Sequence, residues 1–99
     1  MRMKIKIEDE AVKGKYSDVV RITHTPYTFI IEFAQLIPPA EEGEAPTVSV
    51  HTRIVMSPQH AKAMLLALQD NVKKWETSFG EIKLPKTPGK FKPPSTLYQ

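Results

Sequence analysis

The sequence predicts an α+β fold: a four-stranded antiparallel sheet followed by one long C-terminal amphipathic helix. Three observations carry this expectation. Apolar and polar residues alternate with a period of two in four segments before residue 57, the mark of half-buried strands. The pattern switches to a helical period over residues 57–80. Between the periodic segments lie polar stretches punctuated by Gly and Pro.

The first expected strand covers residues 2–8, where Met3, Ile5 and Ile7 alternate with Lys4, Lys6 and Glu8. Residues 9–18 are polar, include Gly14, and read as a loop. The second strand runs over residues 19–25, with Val20 and Ile22 on one face and Arg21 and Thr23 on the other. Pro26 then removes a ladder donor and holds Thr25 extended, so a turn is expected there.

The third strand, residues 27–37, sets Tyr27, Phe29, Ile31 and Phe33 on one face. Its other face carries Ile30, Ala34 and Leu36 around Glu32 and is also largely apolar. A strand apolar on both faces is usually central and covered twice. One helix covers one face, so Ile30, Ala34 and Leu36 become a candidate oligomer or partner surface. An acidic, proline-rich connection, residues 38–46, leads to the fourth strand, residues 47–56. Strict alternation there puts Val48, Val50, Thr52, Ile54 and Met56 inward and Ser49, His51 and Arg53 outward.

The helix has a start, a stripe and a stop. Ser57 suits an N-cap, since its hydroxyl can accept from an unpaired backbone N–H of the first turn. Pro58 sits at the first helical position, where its missing N–H costs nothing. Ala61, Met64, Leu65, Leu68, Val72, Trp75 and Phe79 fall within a sector of roughly 100°, the width of a core-facing stripe. The expectation is that this stripe packs on the sheet. Gly80 supplies the stop. Leu66 lies off the stripe beside Ala63 and Ala67; it reads equally as a lone exposed leucine or as part of a second contact surface.

Residues 1–82 read as one domain and residues 83–99 as a flexible Pro- and Lys-rich tail. The tail has four lysines and no acid, so of the chain's net charge of +3 the domain carries −1. A nucleic-acid-binding domain should show a basic face on the fold itself. Lys86, Lys90, Phe91, Lys92 and Tyr98 are nevertheless candidate tail contacts, since interleaved bases and aromatics can hold single strands by charge and stacking. Pro85 and Pro88 also match the spacing of a polyproline ligand, and a solubilising or docking tail fits as well.

Candidate chemistry is sparse. The chain has no cysteine, which removes disulfides and thiolate metal sites and fits a reducing cytoplasm. No run is long and apolar enough for a membrane span. His24, His51 and His60 match no ligand spacing, and His60 lies in the helix's first turn. The four glycines are scattered, so no phosphate loop is formed. No nucleophile elbow is present, and Glu41, Glu42 and Glu44 form a solvated loop cluster. No catalytic, metal-binding or cofactor-binding residue is assigned, and no cofactor is expected.

Two stretches carry a resemblance. Residues 20–35, VRITHTPYTFIIEFAQ, and residues 53–62, RIVMSPQHAK, continued by Leu65, Leu68, Gln69, Asp70, Asn71 and the FGEI of residues 79–82, resemble domain-of-unknown-function family 3467 of prokaryotes. The likeness covers residues 18–82; the acidic insert at residues 41–44 and the tail lie outside it. It implies a cytoplasmic prokaryotic protein and brings no activity or catalytic residue. Four antiparallel strands and a long helix also resemble, in topology alone, the SecB export chaperones, which are oligomers that hold unfolded chains.

The functional expectation is a small cytoplasmic non-enzyme: a homo-oligomeric protein-binding or assembly module, with a chaperone role as one form of it. Its partners are copies of itself, as a dimer or higher, and an unidentified protein, with no membrane. One alternative is an accessory nucleic-acid-binding protein that uses the tail. Another is an enzyme whose site assembles between subunits around His24 or His51.

Overall fold

Three strands form an antiparallel meander in the computed structural model, which describes residues 2–85 and 97–98: β1 (Val19–His24), β2 (Phe29–Ile37) and β3 (Thr47–Met56). A short helix α1 (Asp9–Val12) precedes them and the long helix α2 (Pro58–Phe79) follows. A two-residue strand β4 (Leu97–Tyr98) lies antiparallel beside Val20 and Arg21, giving the sheet order β3-β2-β1-β4. The α+β class, the antiparallel sheet and the following helix agree with the sequence pattern.

The β1–β2 hairpin closes through Thr25, whose hydroxyl accepts from the backbone N–H groups of Tyr27 and Thr28, both at 3.1 Å. Thr25 N also donates to Thr28 O at 2.9 Å. Pro26 sits inside this turn, where no ladder donor is needed. Below Val19 the β1–β2 ladder is continued by the backbone of Asp18 and by the side chains of Asp18 and Ser17. Asp18 donates its N–H to Ala34 O and accepts from Leu36 N at 2.8 Å through its carboxylate. Ser17 Oγ lies 3.0 Å from both the Val19 and Ala34 carbonyl oxygens.

Arg21, Glu32 and Arg53 stand opposite one another on the three strands. Glu32 is 2% exposed, and both its oxygens are used. Arg21 Nε donates to one at 2.7 Å; Arg53 donates to the other from Nε at 2.9 Å and from a terminal nitrogen at 2.8 Å. A buried carboxylate without such partners would be strongly disfavoured. The clamp therefore penalises any slip in register, because a one-residue shift turns Glu32 away from both arginines. Hydrogen bonding to Arg53 holds the Glu32 carboxyl below its ordinary pKa of 4.5; burial opposes this and Arg21 adds to it.

Four expectations need correction. Residues 2–8 form no strand, and Met3, Ile5 and Ile7 are 78%, 91% and 62% exposed. Alternation makes a strand only where an edge offers a ladder, and here Glu8 O instead accepts from Ala11 N and Val12 N to start α1. The sheet thus has three of the four expected strands, together with the unforeseen β4, so the four-strand order behind the SecB likeness is not present. The loop expected over residues 9–18 contains α1.

The third correction concerns β3. Phe33 lies opposite Thr52, yet Ala34 lies opposite Val50, so His51 is the extra residue of a β-bulge. The bulge reverses the phase: Val48 and Val50 share the Glu32 face, whereas Thr52, Ile54 and Met56 share the face of Phe33, Ile31 and Phe29. Fourth, α2 does not pack its stripe on the sheet; Ala61 is its one buried residue. Only Ser57 separates Met56 from Pro58, and turning a helix back over a sheet normally takes a longer connection. A radius of gyration of 16.6 Å, against about 13 Å for a compact chain of this size, is in keeping with a helix that stands off.

Because the Glu32 pKa is lowered on folding, its contribution is complete above 4.5 and is lost as pH falls through the folded value. Thermal melts followed by circular dichroism should show stability dropping on acidification below that point. Glu32→Gln should lower Tm at neutral pH and flatten the acid limb; a limb left unchanged would place the acid sensitivity in other carboxylates.

Candidate interaction surface

The three histidines stay apart. His24 stacks on Phe29, its β2 neighbour, with ring centroids 5.5 Å apart. His60 donates its backbone N–H to Ser57 Oγ at 3.1 Å, which realises the expected N-cap. His51 projects from the bulge onto the Phe33 face and uses both ring nitrogens: Nδ1 lies 2.8 Å from Thr52 Oγ1 and Nε2 lies 2.8 Å from Tyr16 O. Since a carbonyl only accepts, Nε2 carries a proton and donates it to Tyr16. His51 thereby ties the segment before β1 to the edge of the sheet.

That segment and the sheet enclose an open hollow of about 640 Å³, lined in part by Glu8, Glu10, Phe33, His51, Thr52 and Ile54. An imidazole and two carboxylates thus line one hollow, the arrangement an acid–base site requires. The imidazole, however, has both nitrogens committed, and a general base needs one within reach of a substrate proton. Among the described residues no group of three His, Asp or Glu side chains is placed to hold a metal ion.

The residues singled out as an oligomer surface fall in two places. Ile30, Ala34 and Leu36 share the Glu32 face of β2, where Ile30 and Leu36 are half-buried and Ala34 has no exposed surface. Leu66 is exposed on α2, and the fold does not bring it to the other three. Lys86, Lys90, Phe91 and Lys92 lie outside the described residues. Of the tail candidates only Tyr98 is placed, by its backbone pairing with Val20.

A long apolar surface among the described residues is the α2 stripe that sequence patterning assigns to the core. Leu65 is 61% exposed, Leu68 60%, Val72 36%, Trp75 48% and Phe79 72%. Trp75 and Phe79 lean on each other with centroids 5.1 Å apart, the tilted contact of neighbours one turn apart. Charged residues are kept off this stripe: Asp70 and Lys74 pair with each other at 3.0 Å on the opposite side of the helix. The helix is closed at its far end by Gly80, at φ 102°, whose N–H donates to Glu76 O. Ile82 N donates to the Glu76 carboxylate at 2.9 Å. No helix among the described residues is long and apolar enough to cross a membrane. Fully burying a Leu, Val or Phe side chain is worth about 1.5–3 kcal/mol, so a bare row of them is a candidate contact surface.

The family model described as protein of unknown function (DUF3467) matches residues 1–84, from the exposed N-terminal segment to just beyond α2. This is wider than the span of residues 18–82 over which the resemblance was legible. No curated protein and no solved structure shows a significant match.

His51→Ala removes the tie to Tyr16 while leaving the three strands paired. Amide exchange over residues 8–17 should accelerate, with a loss of about 1 kcal/mol in global stability. Exchange at the wild-type rate would show that the segment is held by other contacts.

Proposed function

We propose that this chain, which belongs to the DUF3467 family, is a small homo-oligomeric protein-binding or assembly module whose working surface is the α2 stripe. The observation that carries this reading is the exposure of Leu65, Leu68, Trp75 and Phe79 on a helix capped at both ends. Such a helix gains most of its stability from packing, and among the described residues Ala61 is the one α2 position that is buried. The small size of the described domain supports the same reading. A domain of this size buries only about 60% of its unfolded surface, and a second copy supplies what the fold lacks. Holding an unfolded client would use the same stripe, so a chaperone role is a variant of this reading.

The nucleic-acid alternative has less support. Residues 1–82 carry a net −1, and the basic surplus belongs to residues 83–99. Arg21 and Arg53, the sheet's cations, are engaged by Glu32. For an enzyme, the His51 hollow offers lining residues but no free imidazole nitrogen.

Light scattering at micromolar concentration should give a multiple of the 11.2 kDa chain mass. Leu68→Asp places a charge in the middle of the stripe and should reduce the particle to a single chain with its sheet signal in circular dichroism unchanged. A wild-type protein that stays monomeric through the high micromolar range and retains no protein partner would overturn the reading.

A further inference from the structure

The spacing within the stripe specifies more than burial. Ala61, Leu65, Leu68, Val72, Trp75 and Phe79 follow one another by alternate steps of four and three residues, the a/d repeat of a coiled-coil seam. A seam of this spacing, flanked by Met64 at one g position, suits pairing with another helix. Leu65, Val72 and Phe79 occupy a positions; Ala61, Leu68 and Trp75 occupy d positions. The flanking e positions are then Lys62, Gln69 and Glu76, and the g positions Met64, Asn71 and Ser78.

We propose that two copies of the chain pair their α2 helices as an antiparallel two-stranded coiled coil, with the two-fold axis passing between Gln69 and Asn71. This deepens the assembly reading and rests on it. Two independent features of the seam select the antiparallel arrangement.

The first is size. Antiparallel pairing sets each a residue against a d residue of the other copy. Leu65 then meets Trp75 and Leu68 meets Val72, each combination occurring twice. Phe79 closes the seam at the first turn of the other helix, where the small Ala61 is already covered by its own chain. Parallel pairing would set Trp75 on Trp75 and Phe79 on Phe79 at one end, which crowds it, and would set only the already covered Ala61 against itself at the other.

The second is charge. In an antiparallel pair each e row runs beside the e row of the other copy. Lys62 of one copy then lies beside Glu76 of the other, twice, on either side of a central Gln69–Gln69 contact. The g rows bring Asn71 to Asn71 across the axis. Parallel pairing would put e beside g and leave Lys62 and Glu76 with no opposite charge. The Glu76 carboxylate accepts from Ile82 N through one oxygen, which leaves its other oxygen for the lysine. Lys73, Lys74 and Asp70 sit away from the seam and do not interfere.

The chain has no cysteine, so single cysteines report the pairing without background. Gln69→Cys lies next to the axis only in the antiparallel dimer, and Phe79→Cys meets itself only in a parallel one. Each variant is oxidised with a disulfide catalyst at a concentration where light scattering of the reduced protein gives a dimer. The expected result is near-complete cross-linking of Gln69→Cys to twice the chain mass and none of Phe79→Cys. Cross-linking of Phe79→Cys overturns the antiparallel pairing. A dimer by light scattering in which neither variant cross-links overturns the α2 pairing but leaves the assembly reading standing. A reduced protein that is monomeric throughout overturns both. Exchanging the charge at one position, Lys62→Glu, should weaken the dimer about tenfold, and Lys62→Glu with Glu76→Lys should recover most of that loss.

Discussion

Ser57 is the whole connection between β3 and α2, and its hydroxyl is already committed to the first turn of the helix through His60 N. Pro58 follows at once and fixes the backbone at the helical value. The chain therefore passes from strand to helix without a loop, and the direction of α2 is set by the direction in which β3 leaves the sheet. A flexible connection would let the apolar stripe collapse onto the nearest half-bare face. With a single capped residue it stays extended, and the surface that would have been core becomes an exterior.

The sheet bears this because it does not depend on α2 for its order. Its buried positions are few: Val19, Ile31 and Ala34 are apolar, and Glu32 sits among them. Hydrophobic burial on this scale leaves little margin. Register is secured instead by directional bonds. The two arginines fix Glu32 at the centre, and Asp18 and Ser17 extend the ladder past the end of β1. Removing either partner of a buried ion clamp of this kind leaves an uncompensated charge, which is how it holds the strands in register. A precise but thinly packed sheet next to an apolar helix is what the proposed assembly would require of each copy.

Much of this was legible in the sequence, and the exceptions have physical causes. The helix limits could be read because Ser57, Pro58 and Gly80 act locally, through backbone geometry and one side-chain bond. The β1–β2 turn could be read at Pro26 for the same reason. The phase of β3 could not, since a bulge at His51 depends on its partner strand and leaves no mark in an otherwise regular alternation. Residues 2–8 misled because alternation records which side chains would share a face, not whether an edge is available. The stripe was located correctly, but angular width alone does not separate a core face from a helix–helix seam. The alternate four- and three-residue steps fit either, since a core-facing helix shows the same spacing. For the candidate site, Leu66 and the β2 face were legible as apolar, whereas the exposure of the stripe depended on the Ser57 junction.

The bulge at His51 also bears on how far association can proceed. Among the described residues β3 has β2 on one side only, and ten residues of edge backbone would otherwise form a flat template for the next sheet. Sheets stacked edge to edge in this way grow without limit. The extra residue breaks the spacing of that edge near its middle, and Arg53 adds a charge close by. Growth by strand addition is thereby discouraged, while a two-fold contact through a helix closes on itself. The irregularity in β3 can be understood as a terminator, one that breaks the exposed edge before a second strand can extend it.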